Sequence, residues 1–153
     1  KTAVRLYTDY FCPPCKAMEP SLEPVITDLV QKNIVTFTFV DTPYYQLSSL
    51  YARYFLYALN EKKDFGHALA VRNALIEASN KKIGDAAKLE EFLKEKGIKI
   101  KPFDPKPTFD LFGKYLRDDK IKATPSCVIE KDGKMETSVG GFDIIQALQK
   151  LKK

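Results

Sequence analysis

Cys12-Pro13-Pro14-Cys15 constrains this chain more tightly than any other stretch. It follows an apolar, strand-like run, Ala3-Val4-Arg5-Leu6-Tyr7-Thr8. It opens a segment, Lys16 to Lys32, in which Met18, Leu22, Val25, Ile26 and Leu29 recur at helical spacing. Two cysteines three positions apart at a strand-to-helix junction read as a dithiol redox site. Residues three apart on a helix have Cβ atoms about 5–6 Å apart, and a disulfide needs Cα atoms about 4.4–6.8 Å apart. The two sulfurs can therefore join and part with little backbone movement.

The start of a helix also changes sulfur chemistry. Its first N–H groups have no partner inside the helix, and the dipole there favours negative charge. A thiolate on Cys12 is such a charge, so its pKa is expected below the free value of about 8.5. Pro13 and Pro14 suit a first turn, where a missing N–H breaks no helical bond. They leave the N–H groups of Cys15 and Lys16 as the nearest donors. Cys15 is expected to be the more buried, resolving thiol.

A chain of 153 residues is long enough for one domain with a real core. The net charge of +5 is modest, and the lysines are spread out apart from Lys150, Lys152 and Lys153. That is a solvated face rather than a nucleic-acid surface. No apolar run reaches the ~18 residues of a membrane span. The chain begins at Lys1 rather than Met, and a signal or anchor ahead of it is expected. Three cysteines are too few for a disulfide scaffold. The third, Cys127, stands in an apolar strand-like run and is expected to be a small core residue.

Ile34 to Val40 alternates apolar residues with threonine and reads as a strand. A strand, a helix and a strand in this order make a right-handed parallel unit. Pro20 and Pro24 are expected to kink the helix. Four helical segments follow, from about Gln46 to Arg117; Asp85 is a plausible N-cap for the third, and Gly97 its stop. Their aromatic stripes are read as core. His67, in the second of them, is a surface or packing residue without a visible partner. Strand patterns return at Pro125–Glu130 and Met135–Val139, joined by the turn pair Asp132-Gly133. Gly140-Gly141 reads as a flexible joint before a last helix, Phe142 to Leu151.

Thr8-Asp9-Tyr10-Phe11-Cys12-Pro13-Pro14-Cys15, the helical block, Thr124-Pro125 opening the third strand, and Gly140-Gly141-Phe142 together resemble the DsbA-like thiol–disulfide oxidoreductases of the thioredoxin superfamily. The resemblance covers nearly the whole chain. It implies an α/β, thioredoxin-like fold: residues 1–45 and 118–153 form the core, and residues 46–117 are a helical insertion of about four helices. It implies that Cys12 and Cys15 are catalytic and that Pro125 is cis and faces them. Thr124 would then pair through its backbone with an extended substrate. Tyr10, Phe11, Pro13 and Thr124 would surround Cys12 with a surface for unfolded or partly folded polypeptides. Tyr44 and Tyr45 either extend that surface or pack in the core. The expected cofactor is none beyond the redox-active Cys12–Cys15 pair. The expected partners are cysteine-containing polypeptides and a separate redox protein that regenerates the pair, and a monomer in the periplasm or cell envelope is expected.

Two departures bear on direction. Pro13-Pro14 lacks the histidine of strongly oxidising members, and Leu6 stands where relatives commonly carry a buried acid, six residues before the first cysteine. Without that acid, a proton relay through Asp9 or solvent is expected, although Asp9 by itself reads as a surface or loop-capping residue. An oxidase is the leading expectation. The alternatives are a dithiol reductase, a metal-binding or delivery module on the same fold, and a peptide-binding chaperone with an idle dithiol. A dedicated isomerase would need a dimerisation domain, for which this chain has no room.

Overall fold

The structure, a computed structural model, describes residues 1–152; Lys153, the end of the expected 118–153 segment, lies outside them. Among the described residues, four strands and six helices run in the order β1 (Thr2–Thr8), α1 (Pro13–Gln31), β2 (Val35–Asp41), α2 (Ser48–Glu61), α3 (Phe65–Asn80), α4 (Ala86–Glu95), α5 (Lys106–Asp118), β3 (Ser126–Lys131), β4 (Lys134–Val139) and α6 (Gly141–Lys150). This is the thioredoxin-like α/β fold with helices inserted between its second and third strands.

The sheet order is β2-β1-β3-β4. β1 pairs in parallel with β2, from Thr2 opposite Val35 to Thr8 opposite Asp41, and antiparallel with β3, where Leu6 stands opposite Cys127. Successive side chains of a strand point to opposite faces. Val4 and Leu6 therefore enter a core with Leu22, Ile26 and Leu29 of α1 and Ile144 and Leu148 of α6. Tyr7, on the other face, packs with Val40, Val128 and Phe112 of α5. On that side Arg5 makes two bonds to Asp119, at 2.7 and 3.1 Å, and the Tyr7 hydroxyl also bonds Asp119. The C-terminal end of α5 is thereby tied to the central strand. The inserted helices build a further core from Tyr51, Phe55, Val71, Leu75, Leu89 and Leu93, and Tyr10 of the dithiol loop joins it.

The helix expected from Lys16 begins three residues earlier. Pro13 and Pro14 take its first two positions, and Cys12 is the N-cap. The helix runs unbroken through Pro20 and Pro24, both exposed. Each proline deletes one backbone bond, and the buried stripe Met18, Leu22, Val25, Ile26 and Leu29 holds the helix together across them. Asp85 caps α4 by accepting from the Lys88 N–H at 2.9 Å, and Gly97 follows the helix with φ at 76°. Asp132 and Gly133 both take positive φ, as a primed hairpin turn requires.

Gly140-Gly141 is not the flexible joint expected from its composition. The Gly140 N–H donates to the Pro125 carbonyl at 3.0 Å, and its φ of 89° favours glycine. At Gly141 a Cβ would lie 3.3 Å from Cβ of Met18. The glycines let α6 close tightly against α1 and fix the base of the β3–β4 hairpin.

Candidate functional site

The site forms where β1 hands the chain to α1. The Cys12 N–H donates to the Asp9 carbonyl at 3.2 Å, and the Lys16 N–H closes the first helical turn on the Cys12 carbonyl at 3.0 Å. The Cys12 sulfur then receives the Cys15 backbone N–H at 3.3 Å. With prolines at the two positions between, this sulfur does the capping that an oxygen side chain ordinarily does. An anion there meets both the free donor and the helix dipole. On its other side the Cys12 thiol donates to the Thr124 carbonyl at 3.5 Å.

The Thr124–Pro125 peptide bond is cis. Pro125 is buried and Thr124 half-buried. The structure thus brings Cys12, Cys15, Thr124 and Pro125 together, with Pro13 exposed and Phe11 half-buried beside them. The two thiols are free and equally covered, each 3% exposed, so Cys15 is not the more buried of the pair. What separates them is chemistry. Burial, reinforced by its hydrogen bond with Cys12, pushes the Cys15 thiol up to about 12. Cys15 therefore keeps its proton at neutral pH while the helix start addresses Cys12.

Tyr10 departs from its expected place on the substrate surface. It is 3% exposed, stands among Tyr51 and Phe55, and donates its hydroxyl to Asp41 at 3.4 Å. The cause is the insertion, whose helices α2 and α3 bring an aromatic core up to the dithiol loop. Tyr44 and Tyr45 are exposed, at 50% and 47%. Asp9 caps loops, as one of its readings had it, but it is buried rather than on the surface. One of its oxygens accepts from the Phe11 N–H at 3.0 Å; the other accepts from the Tyr44 N–H at 3.1 Å and the Ser48 hydroxyl at 2.6 Å.

Leu6 is fully buried in the apolar core opposite Cys127. Cys127 is itself 0% exposed, and burial pushes its thiol up to about 12. His67 lies in the first turn of α3, where its N–H donates to Asp64 at 2.9 Å. Among the described residues no three His, Cys, Asp or Glu side chains converge as a metal site would require, and no helix is long and apolar enough to cross a membrane.

Sequence reasoning missed a buried charged cluster next to the dithiol helix. Glu19 lies one turn beyond Cys15 and is paired with Arg72 of α3 through two bonds of 2.8 Å; neither side chain is more than 3% exposed. Arg72 also donates to the Thr8 hydroxyl at 3.3 Å and lies 4.3 Å over the Phe39 ring. Burial works against the Arg72 charge, but Glu19 more than offsets it and holds the guanidinium above its ordinary value. Asp41, at the end of β2, is the second carboxyl of the cluster, and burial pushes it up to about 7 despite the pull of Arg72. The available signal was Glu19 itself, an acid at the spacing of the apolar stripe between Met18 and Leu22.

A thioredoxin family model matches residues 1–139, and the chain belongs to that family. The likeness to DsbA-like proteins read from the sequence extends to the fold of solved structures. No curated protein matches it. DsbA of Pseudomonas aeruginosa shares the fold with a TM-score of 0.76 at 21% identity, over 99% of this chain and 84% of that one. A periplasmic thioredoxin-like protein from Salmonella enterica serovar Typhimurium gives 0.70 at 23% identity, over 99% and 85%. ScsC of Proteus mirabilis, in a transitional conformation, gives 0.72 at 25% identity, over 99% and 65%.

Proposed function

We propose that the protein exchanges its Cys12–Cys15 disulfide with cysteines of unfolded or partly folded polypeptides, running chiefly as an oxidase. The observation that carries this reading is the Cys12 sulfur, held 3.3 Å from a helix-start N–H on one side and 3.5 Å from the Thr124 carbonyl on the other. The helix-start N–H and dipole are directed at that sulfur, and any charge they stabilise there favours the dithiol over the disulfide, which is what makes a disulfide oxidising.

In the oxidising direction a substrate thiolate attacks the Cys12 sulfur. The Cys12–Cys15 bond breaks, a mixed disulfide forms at Cys12, and Cys15 leaves and takes up a proton. A second substrate thiolate attacks the substrate sulfur of that mixed disulfide and releases Cys12. The substrate loses two electrons as its disulfide forms, and the protein gains them as a dithiol. A separate disulfide-bearing redox protein restores the starting state. No further cofactor takes part.

Thr124 offers an extended chain its backbone, as a strand would. Pro14, Ala17, Met18, Phe142 and Ile145 line an apolar groove of about 520 Å³ between α1 and α6. Phe142 is 74% exposed there, and such a groove suits sequence-tolerant contact. The protein acts as a monomer in an oxidising compartment, the periplasm or cell envelope.

Titration of the pair against glutathione tests the direction. A potential well above that of the glutathione couple is expected, and one well below it makes the protein a reductase. Cys12→Ser must abolish exchange with a peptide substrate; exchange at the native rate in that variant overturns the reading.

A further inference from the structure

The loop between β2 and α2 has no part in the chemistry proposed above, yet Asp9 ties it directly to the dithiol loop. Asp9 is 4% exposed, and its carboxylate holds the Phe11 N–H from the dithiol loop and the Tyr44 N–H and Ser48 hydroxyl from the other side. Three bonds to one buried carboxylate fix the two loops relative to each other. Fixed in this way, the second loop presents Tyr44 and Tyr45 half-exposed. Phe11 continues the surface towards Cys12: its ring centre lies 6.5 Å from that of Tyr45 and 4.6 Å from that of the buried Tyr51. An aromatic shelf thus begins at the residue preceding the reactive cysteine. It contains residues on the side of Phe11, whereas the α1–α6 groove begins at Pro14.

We infer that this shelf is a specificity subsite, taking an aromatic side chain two positions from the substrate cysteine. The inference rests on the exchange reaction proposed above and names which polypeptides that reaction favours. In an extended chain, alternate side chains point the same way and repeat every ~6.5–7 Å. A substrate whose cysteine points at Cys12 therefore turns the residues two before and two after it towards this protein. One of them meets Phe11 and Tyr45. Half-exposed rings gain most from another ring in tilted or edge contact. Tyrosine also binds with little loss of side-chain freedom while its hydroxyl stays in water. Asp9 is the positioning residue for the shelf and touches no substrate.

The test uses the whole protein, oxidised, and single-cysteine peptides with Phe or Ser two positions from the cysteine, on each side in turn. Wild-type protein should react with one Phe peptide roughly three- to tenfold faster than with its Ser counterpart, the size of an aromatic pair contact. The variant Tyr44→Ser/Tyr45→Ser, altered only at exposed positions, should lose that preference yet be reduced by dithiothreitol at the wild-type rate. An undiminished preference in the variant, or none in the wild type, overturns the subsite. Binding of the Phe peptide with serine in place of its cysteine, followed by NMR shifts of Phe11 and Tyr45, judges the shelf apart from the chemistry. Weaker binding to the variant supports it even if exchange itself fails, and equal binding refutes it.

Discussion

Replacing Glu19 by glutamine isolates a fully buried ion pair between the dithiol helix and the insertion. The change keeps shape and removes a charge. Arg72 is then left 2% exposed, its two 2.8 Å bonds to one carboxylate reduced to at most one with a neutral amide oxygen. Breaking a buried pair from one side costs about 3–5 kcal/mol, mostly the penalty of the stranded charge. Asp41, the other carboxyl that feels Arg72, offsets part of this, which places the expectation near 3 kcal/mol. A domain has about 5–15 kcal/mol of stability in total, so the loss is large. Urea unfolding reads it: with an m-value of about 2 kcal/mol/M, the midpoint falls by about 1.5 M at unchanged slope. The double variant Glu19→Leu/Arg72→Met removes both charges and should recover most of the loss. A shift for Glu19→Gln of under about 0.5 kcal/mol, the range of an ordinary surface substitution, would refute the reasoning, as would a double variant worse than the single.

Three other outcomes follow from the same geometry. Asp41 carries a folded pKa of about 7 against an ordinary 3.8, so the folded state holds a proton that the unfolded state has released. Its contribution to stability is fully present below about pH 4 and is lost as pH rises through about 7; Asp41→Asn should flatten that slope, and an unchanged pH profile would count against the shift. Reduced native protein should take up one equivalent of iodoacetamide at pH 8, because Cys15 and Cys127 both sit at about 12; prompt labelling of two or more thiols before unfolding contradicts this. Asp9→Ala strands three donors and should cost about 1–3 kcal/mol, with faster amide exchange at Phe11 and Tyr44; a native exchange pattern would mean that the two loops stand without it.

The elements were legible because their signals are local. The apolar stripe of α1, the Asp85 cap and the Asp132-Gly133 turn each lie within a few residues of chain. The meeting of Cys12 with Thr124 is not local, and only the family resemblance brought those positions together beforehand. Tyr10 was misplaced because a tyrosine next to a reactive cysteine reads the same whether helices cover it or not. The Glu19–Arg72 pair spans 53 positions, and no periodicity couples an acid in one helix to a base in another. Gly140-Gly141 was misread for a related reason: composition suggests freedom, while the demand for glycine comes from Met18 across the interface.

Cys127 has a consequence for fidelity. Under the exchange reaction proposed above, a third cysteine risks trapping the protein in the wrong bridge, or on the wrong client. Here the spare sulfur is walled into the sheet opposite Leu6, out of reach of solvent. A reagent arriving from outside can reach a cysteine sulfur only at the helix mouth, so for the proposed chemistry the folded chain counts as a two-thiol device.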